Sequence, residues 1–207
     1  GELAAAPFER LGAEVEVIQG QVQEIEGRHT ADPARMENLQ PLMRRMRETD
    51  AQFGLLFDLD GDRIAMVVQQ PDSELLVIPA ANVVAALVPF LVESGGYDPH
   101  TLKLAFIKDS MATRAVDGGA ARYQISTFMT DTGYVFLKEQ KRNLKAKKYI
   151  VPMMAEDSGH SWLDVTGDYE NPIAFAILFA VMATQYGNRR LDSTHPFYEA
   201  YTANRVP

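Results

Sequence analysis

The stretch Phe53 to Val68, reading F-G-L-L-F-D-L-D-G-D-R-I-A-M-V-V, constrains this chain more than any other. Two apolar runs, Phe53–Phe57 and Ile64–Val68, enclose a hydrophilic centre with Asp58, Asp60 and Asp62, followed by Arg63. Apolar runs of that length around a glycine-containing turn read as buried strands entering and leaving a loop. Three carboxylates at spacing two repel one another unless positive charge sits among them. A hard divalent cation with oxygen ligands, most simply Mg²⁺, meets that need, and Gly61 lets the loop curl so that the side chains converge. The competing reading is a solvated acidic turn, which a position between two core strands disfavours.

A chain of 207 residues can hold one large or two small domains with a real core. Its net charge of −8 leaves no excess of Lys and Arg to cover phosphates, which argues against nucleic acid as the main partner. The absence of cysteine excludes disulfides and thiolate metal sites. The longest apolar run, Pro172 to Ala183, is too short to span a bilayer, so no transmembrane segment is expected. No signal peptide is recognisable, and the chain opens with Gly1 inside a helical pattern, as a processed or truncated polypeptide would. The expectation is a soluble protein of the cytoplasm or of an organelle stroma or matrix, between which the sequence does not choose.

In order, Leu3–Leu11 reads as a short helix stopped by Gly12, and Ala13–Gln19 as a half-exposed strand. Gln21–Ala31 is polar and reads as a loop. Asp32-Pro33 predicts a helix start, and Met36, Leu39, Met43 and Met46 continue an apolar stripe to about Thr49. After the opening stretch, Leu75–Ile78 is a short strand, and Pro79 opens a helix through Val92 that Pro89 kinks or ends. Leu102–Ile107 is a strand delivering Lys108-Asp109-Ser110 to its C-terminal end, where ligands bind in open α/β sheets. A helix over Thr113–Ala121, a strand over Tyr123–Phe128 and a helix after Gly133 follow. Tyr149–Met154 is a strand, and Ile173–Tyr186, apolar nearly all round, is a buried helix. Lys138, Lys141, Arg142, Lys145, Lys147 and Lys148 form the one basic cluster, either a solvated helix face or an attractor for an anionic ligand. The alternation of strands and helices predicts α/β layers, sheet-and-helix domains with mixed sheets.

The aspartate loop admits three chemistries. An EF-hand starting at Asp58 needs glycine and glutamate where Arg63 and Gln69 stand, and its flanks should be helices, so it is rejected. Leu55-Leu56-Phe57-Asp58-Leu59-Asp60-Gly61 resembles the first motif of haloacid-dehalogenase-type phosphatases, which would make Asp58 a nucleophile. That match is local: Asp62 replaces the family's threonine, and Pro172 its second late aspartate.

The third resemblance covers most of the chain. Asp58-Leu59-Asp60-Gly61-Asp62-Arg63 resembles the D-G-D-G-D-R magnesium loop of the α-D-phosphohexomutases, which include phosphoglucomutase, phosphomannomutase and phosphoglucosamine mutase. Glu37-Asn38-Leu39 precedes it as in that family's second domain. Asp109 with Thr113-Arg114-Ala115 resembles a D-x-x-x-[ST]-R-A segment, Thr132-Gly133-Tyr134 a T-G-[HY] turn, and Glu156-Asp157-Ser158-Gly159-His160 the sugar-binding G-E-x-S-G-H loop. Asp168 stands where the family has D-D-G.

The resemblance implies that Asp58, Asp60 and Asp62 hold Mg²⁺ and that Arg63 lies beside the transferred phosphoryl group. Glu156 and Ser158 would bind sugar hydroxyls, with His160 supporting that loop and Tyr134 at a substrate-contact position. For Glu156 a plain surface carboxylate is the alternative, and for His160 a structural histidine. Leu59 and Ala155 replace family glycines, and D-D-G is reduced to one aspartate. Only the second half of domain two and domain three are resembled; no T-A-S-H-N-P serine loop or R-x-S-G-T phosphate clamp is found. The implied organisation is a partial metal-loop domain over 1–74, a sugar-binding domain over 75–187 and a linker or docking arm over 188–207. The implied function is a portion of a phosphohexomutase, which moves phosphoryl between the 1- and 6-hydroxyls of a hexose phosphate, not catalytic by itself. Its partners would be hexose phosphate and the missing mutase domains or a larger assembly. The alternative is a degenerate mutase-like domain serving as a structural subunit.

Overall fold

Every residue from Ile64 to Val68 is buried, because the strand they form is covered on both faces. The computed structural model describes residues 2–20, 32–70, 72–111, 115–167 and 169–187. The first sheet is an antiparallel meander of β1 (Phe53–Phe57), β2 (Ile64–Gln69) and β3 (Leu75–Ile78), in that order. Phe57 pairs with Ile64 and Phe53 with Val68, so the aspartate loop is the connection of a hairpin. Along β2 the period-two alternation sends Ile64, Met66 and Val68 into the main core and Ala65 and Val67 against helix α2 (Met36–Thr49). Leu39, Met43 and Met46 of α2 meet the second set, which makes the methionine stripe a core face.

The second sheet is mixed, with strand order β5-β4-β6-β7. Strands β4 (Ala105–Asp109), β5 (Ser126–Thr130) and β6 (Met153–Ala155) run parallel, while β7 (Ser161–Leu163) pairs antiparallel to β6. Helices α3 (Ala80–Glu93), α4 (Ala115–Arg122) and α6 (Pro172–Gly187) lie on one side, sharing a core with Met66, Phe106 and Met153. Helix α5 (Tyr134–Ala146) covers the other face, where Leu137 and Leu144 pack with Ile107, Met154 and Trp162. Helix α1 (Glu2–Arg10) adds Phe8 to the main core. This is a mixed α/β fold. Among the described residues no helix is long and apolar enough to cross a membrane.

Several expected elements differ. No strand forms over Ala13–Gln19: the segment has no ladder partner, and Val15 packs on the core while Glu16 pairs with Arg45 at 2.8 Å. Asp32 accepts the Ala34 N–H at 2.9 Å in a turn, and the helix begins only at Met36. Pro89 neither ends nor interrupts α3. The strands expected over Leu102–Ile107 and Tyr123–Phe128 shift toward their C-terminal ends, to residues 105–109 and 126–130. Helix α6 buries one face, with Phe175, Ala176, Phe179 and Met182, and leaves Ile177 and Leu178 half-buried. Strand pairing crosses residue 74, since β3 is bonded to β2. The loop over Gln21–Ala31, the segment Thr113-Arg114, Asp168 and the arm over 188–207 lie outside the described residues.

The C-terminal ends of α3 and α4 are tied by the Tyr123 hydroxyl, which donates to Glu93. Burial, and then that carboxylate, push the Tyr123 hydroxyl up to about 12, with Arg122 opposing. A folded-state pKa above the ordinary tyrosine value gives stability that is complete below about pH 10 and disappears as pH rises through about 12. Tyr123→Phe is therefore expected to cost about 0.5–1.5 kcal/mol at neutral pH. In urea melts the gap to wild type should close above that window; a gap independent of pH would show that the hydroxyl does not contribute.

Candidate functional site

The three parallel strands of the second sheet deliver loops to a common edge. Asp109 ends β4, Thr130 leads to the turn before α5, and Ala155 leads to the Glu156–His160 loop. Ser110 and Thr132 bridge two of these loops by a 3.2 Å hydroxyl–hydroxyl hydrogen bond. This is the carboxyl edge at which open α/β sheets bind ligands.

The aspartate loop is brought to that edge by a short backbone pairing. The Ile64 N–H donates to the Gly159 carbonyl at 3.2 Å, and Arg63 and His160 form an antiparallel bridge pair. Gly159 has φ +105°, and a Cβ placed there would stand 2.7 Å from the Ile64 carbonyl oxygen and 3.0 Å from its nitrogen. Only glycine permits so close a backbone approach together with that φ. The hairpin of the first sheet and the loop of the second are thereby joined backbone to backbone.

Within the aspartate loop, Asp58 acts as the organiser. Its carboxylate is 1% exposed. Oδ1 accepts the N–H groups of Gly61 and Arg63, each at 3.1 Å, and Oδ2 accepts Arg63 Nε at 2.6 Å. Burial pushes its pKa up, but the hydrogen bonds from the Arg63 backbone and guanidinium outweigh that and hold it below the usual carboxylate range. Asp62 is raised instead, first by burial and then by its proximity to Asp58, with His160 opposing. Asp58, Asp60 and Asp62 each offer a carboxylate oxygen, all within 4.8 Å of one another. Octahedral Mg²⁺ places adjacent oxygens about 3 Å apart and opposite ones about 4.2 Å apart. The all-oxygen donor set and a small inward movement therefore fit that ion. Asp60 is exposed, so the donor group opens to solvent.

The second loop is more enclosed than its sequence indicates. Glu156 is 5% exposed, not a surface carboxylate. Its Oε2 accepts the Ser158 hydroxyl at 2.8 Å, and its buried Oε1 has no hydrogen-bond partner among the described residues. Burial, and then Asp109, raise the neighbouring Asp157 carboxyl. His160 is flanked by aromatic rings, stacked on Trp162 with centroids 6.1 Å apart and tilted against Tyr134 at 6.4 Å. Its Nδ1 lies 3.7 Å from both Asp62 Oδ2 and Glu170 Oε2.

The basic cluster divides. Lys141 is buried, donating to the Gly167 carbonyl at 2.9 Å, and Lys138 pairs with Glu170 at 3.6 Å, with Nζ 5.1 Å from the Tyr134 ring centroid. Arg142, Lys145, Lys147 and Lys148 remain on the exposed face. Asp58, Asp60, Asp62, Arg63, His160 and Tyr134 thus stand in one neighbourhood, with Glu156 and Ser158 on the same loop as His160. Glu170, Trp162 and the separate position of Lys138 escape sequence reasoning. Glu170 carried one weak signal, an acidic residue two places after Asp168 and just before the Asn171 cap of α6, whose Oδ1 accepts the Ala174 N–H at 2.9 Å.

No family model matches the chain. A phosphomannomutase/phosphoglucomutase of Pseudomonas syringae pv. tomato is 34% identical over 115 residues, 46% of this chain and 25% of that protein. A phosphoglucomutase of Neisseria gonorrhoeae is 30% identical over 161 residues, 68% of this chain and 33% of that protein. The chain is a relative of the phosphohexomutases. It spans about a quarter to a third of the length of these relatives. Phosphohexomutase structures share its fold. A phosphoglucomutase/phosphomannomutase family protein from Burkholderia thailandensis superposes with TM-score 0.69 at 22% identity, over 100% of this chain and 40% of that one. A structure described as a putative phosphomannomutase from Thermus thermophilus gives 0.70 at 18% identity, over 97% and 42%. The loops that resemble phosphohexomutase motifs, D-L-D-G-D-R, T-G-Y and E-D-S-G-H, meet at the edge described above.

Proposed function

We propose that this chain is the metal-loop and sugar-loop portion of a phosphohexomutase, acting in phosphoryl transfer between the 1- and 6-hydroxyls of a hexose phosphate. The observation that carries the reading is the Gly159–Ile64 contact, which joins the aspartate hairpin to the loop bearing Glu156, Ser158 and His160. Asp58, Asp60 and Asp62 would hold Mg²⁺. When bound, that ion would neutralise charge on the phosphoryl oxygens. Arg63, anchored through Nε on Asp58, would lie beside the phosphoryl group and stabilise its charge. Glu156 Oε1 is an acceptor in need of a hydroxyl donor, the role a sugar would fill, and Ser158 aligns that carboxylate through Oε2. Tyr134, half exposed beside His160, offers a ring face at the mouth of the site. The metal-loop and sugar-loop units would share one core, and the β2–β3 pairing favours a boundary between Ile78 and Ala80 over one at residue 74. The phosphoryl-carrying serine would come from outside these residues.

The engaged oxygens of buried Asp58 favour a positioning carboxylate over a phosphatase nucleophile, which needs an oxygen directed at the phosphorus. Mg²⁺ titration calorimetry tests the metal assignment. Wild type should bind weakly and Asp60→Asn at least about tenfold more weakly. No heat in either protein would remove the metal from the proposal, and with it the mutase role.

A further inference from the structure

Beside the three-aspartate cradle lies a second group of donors with different chemistry. Asp62, His160 and Glu170 each present one ligand atom, all within 4.8 Å of one another. Each carboxylate divides its oxygens between two neighbours. Asp62 Oδ1 is 3.9 Å from Arg63 Nε, and Oδ2 is turned to His160 Nδ1 at 3.7 Å. Glu170 Oε1 is 3.6 Å from Lys138 Nζ, and Oε2 is turned to the same Nδ1, also at 3.7 Å.

His160 Nδ1 is the independent observation. It is fully buried and has no hydrogen-bond partner among the described residues, although two carboxylates face it. At 3.7 Å the spacing is too long for an N–H···O bond. It is close to the roughly 3.3–3.5 Å that separates nitrogen and oxygen ligands around a tetrahedral ion with bonds of about 2.0–2.2 Å. The Trp162 ring stacked on the imidazole restricts its rotation, so Nδ1 stays aimed between the two oxygens. Four carboxylates, Asp58, Asp60, Asp62 and Glu170, stand against two cations, Arg63 and Lys138, which leaves a local excess of negative charge.

We propose that Asp62, His160 and Glu170 form a second cation site, selective for a borderline transition ion such as Zn²⁺ or Co²⁺. One imidazole and two carboxylates make a donor set that such ions prefer and that Mg²⁺ does not seek. Three protein ligands leave a coordination position open to water or a ligand oxygen. The site goes beyond the mutase reading and stands on its own geometry; only Asp62 is common to both donor sets.

Trp162 is the only tryptophan in the chain, and it stacks on the proposed ligand, so its fluorescence reports locally on a bound quenching ion. Titration of the full chain with Co²⁺ should show saturable quenching in wild type, with Zn²⁺ competing and Mg²⁺ not. Glu170→Gln and His160→Gln should each weaken that binding by at least about tenfold, since outer-shell changes alone cost 10–100-fold. Asp60→Asn should leave it unchanged while weakening the Mg²⁺ heat, and Asp62→Asn should weaken both. Quenching retained in a folded Glu170→Gln protein, or lost in Asp60→Asn, would place the ion elsewhere and overturn the proposal. Absence of saturable quenching in wild type would do the same. Because the Mg²⁺ calorimetry is read separately, failure of this site leaves the cradle assignment untouched, and the reverse also holds.

Discussion

Gly159→Ala should destabilise the protein by about 2–5 kcal/mol, the combined scale of strain at a positive φ and of overpacking against backbone. The added Cβ would sit 2.7 Å from the Ile64 carbonyl oxygen, a backbone atom held in place where Ile64 pairs with Phe57 in the β1–β2 ladder. Relief requires the Glu156–His160 loop to lift off the hairpin, breaking the Ile64–Gly159 hydrogen bond and the Arg63–His160 pairing. Gly61→Ala is the control. Its φ is +75°, but a Cβ there meets nothing within 4 Å, so only the backbone term of about 1–2 kcal/mol applies. Denaturant unfolding of the two variants should therefore differ by one to several kcal/mol. Equal midpoints would show that the contact between the loops is dispensable.

Asp58→Ala is expected to be comparably damaging, by about 3–5 kcal/mol, because it removes a buried carboxylate that holds two N–H groups and a guanidinium. Asp58→Asn retains one acceptor for the backbone but loses the charge and the acceptor for Arg63 Nε, so about 1–3 kcal/mol is expected. Asp60→Asn removes an exposed charge from a crowded loop and should leave stability within about 0.5 kcal/mol of wild type while abolishing most Mg²⁺ binding. Among the three aspartates, structural weight and ligand weight are thus expected to separate: Asp58 carries the loop, and Asp60 would serve only the proposed ion. Thermal melts with and without Mg²⁺ read both quantities. A destabilising Asp60→Asn in metal-free buffer would contradict this division. No turnover of generic phosphate esters is expected, and turnover abolished by Asp58→Asn would restore the phosphatase alternative.

The hairpin was legible from residues alone because its signals are local. Apolar runs of five residues, a glycine and alternate aspartates determine strand, loop and the convergence of the carboxylates, whatever packs around them. The methionine stripe of α2 and the apolar length of α3 and α6 are read the same way, from periodicity and hydropathy along one segment. The loops resembling phosphohexomutase motifs were likewise visible as short strings.

Their meeting was not visible. Nothing along the chain announces that Gly159 abuts Ile64, since the contact joins backbone atoms nearly a hundred residues apart and its only trace is a glycine. Ala13–Gln19 alternates like a strand but finds no partner, because pairing is decided by what lies alongside. Glu156 reads as a polar loop residue, yet it is buried by the fold, and Lys141 leaves the basic face for the Gly167 carbonyl. Glu170 becomes significant only when the start of α6 brings it to His160. Sequence determined which groups the loops carry; tertiary structure alone decided that Asp62, His160 and Glu170 stand around one point, because such proximity comes from sheet topology and helix packing and has no local code.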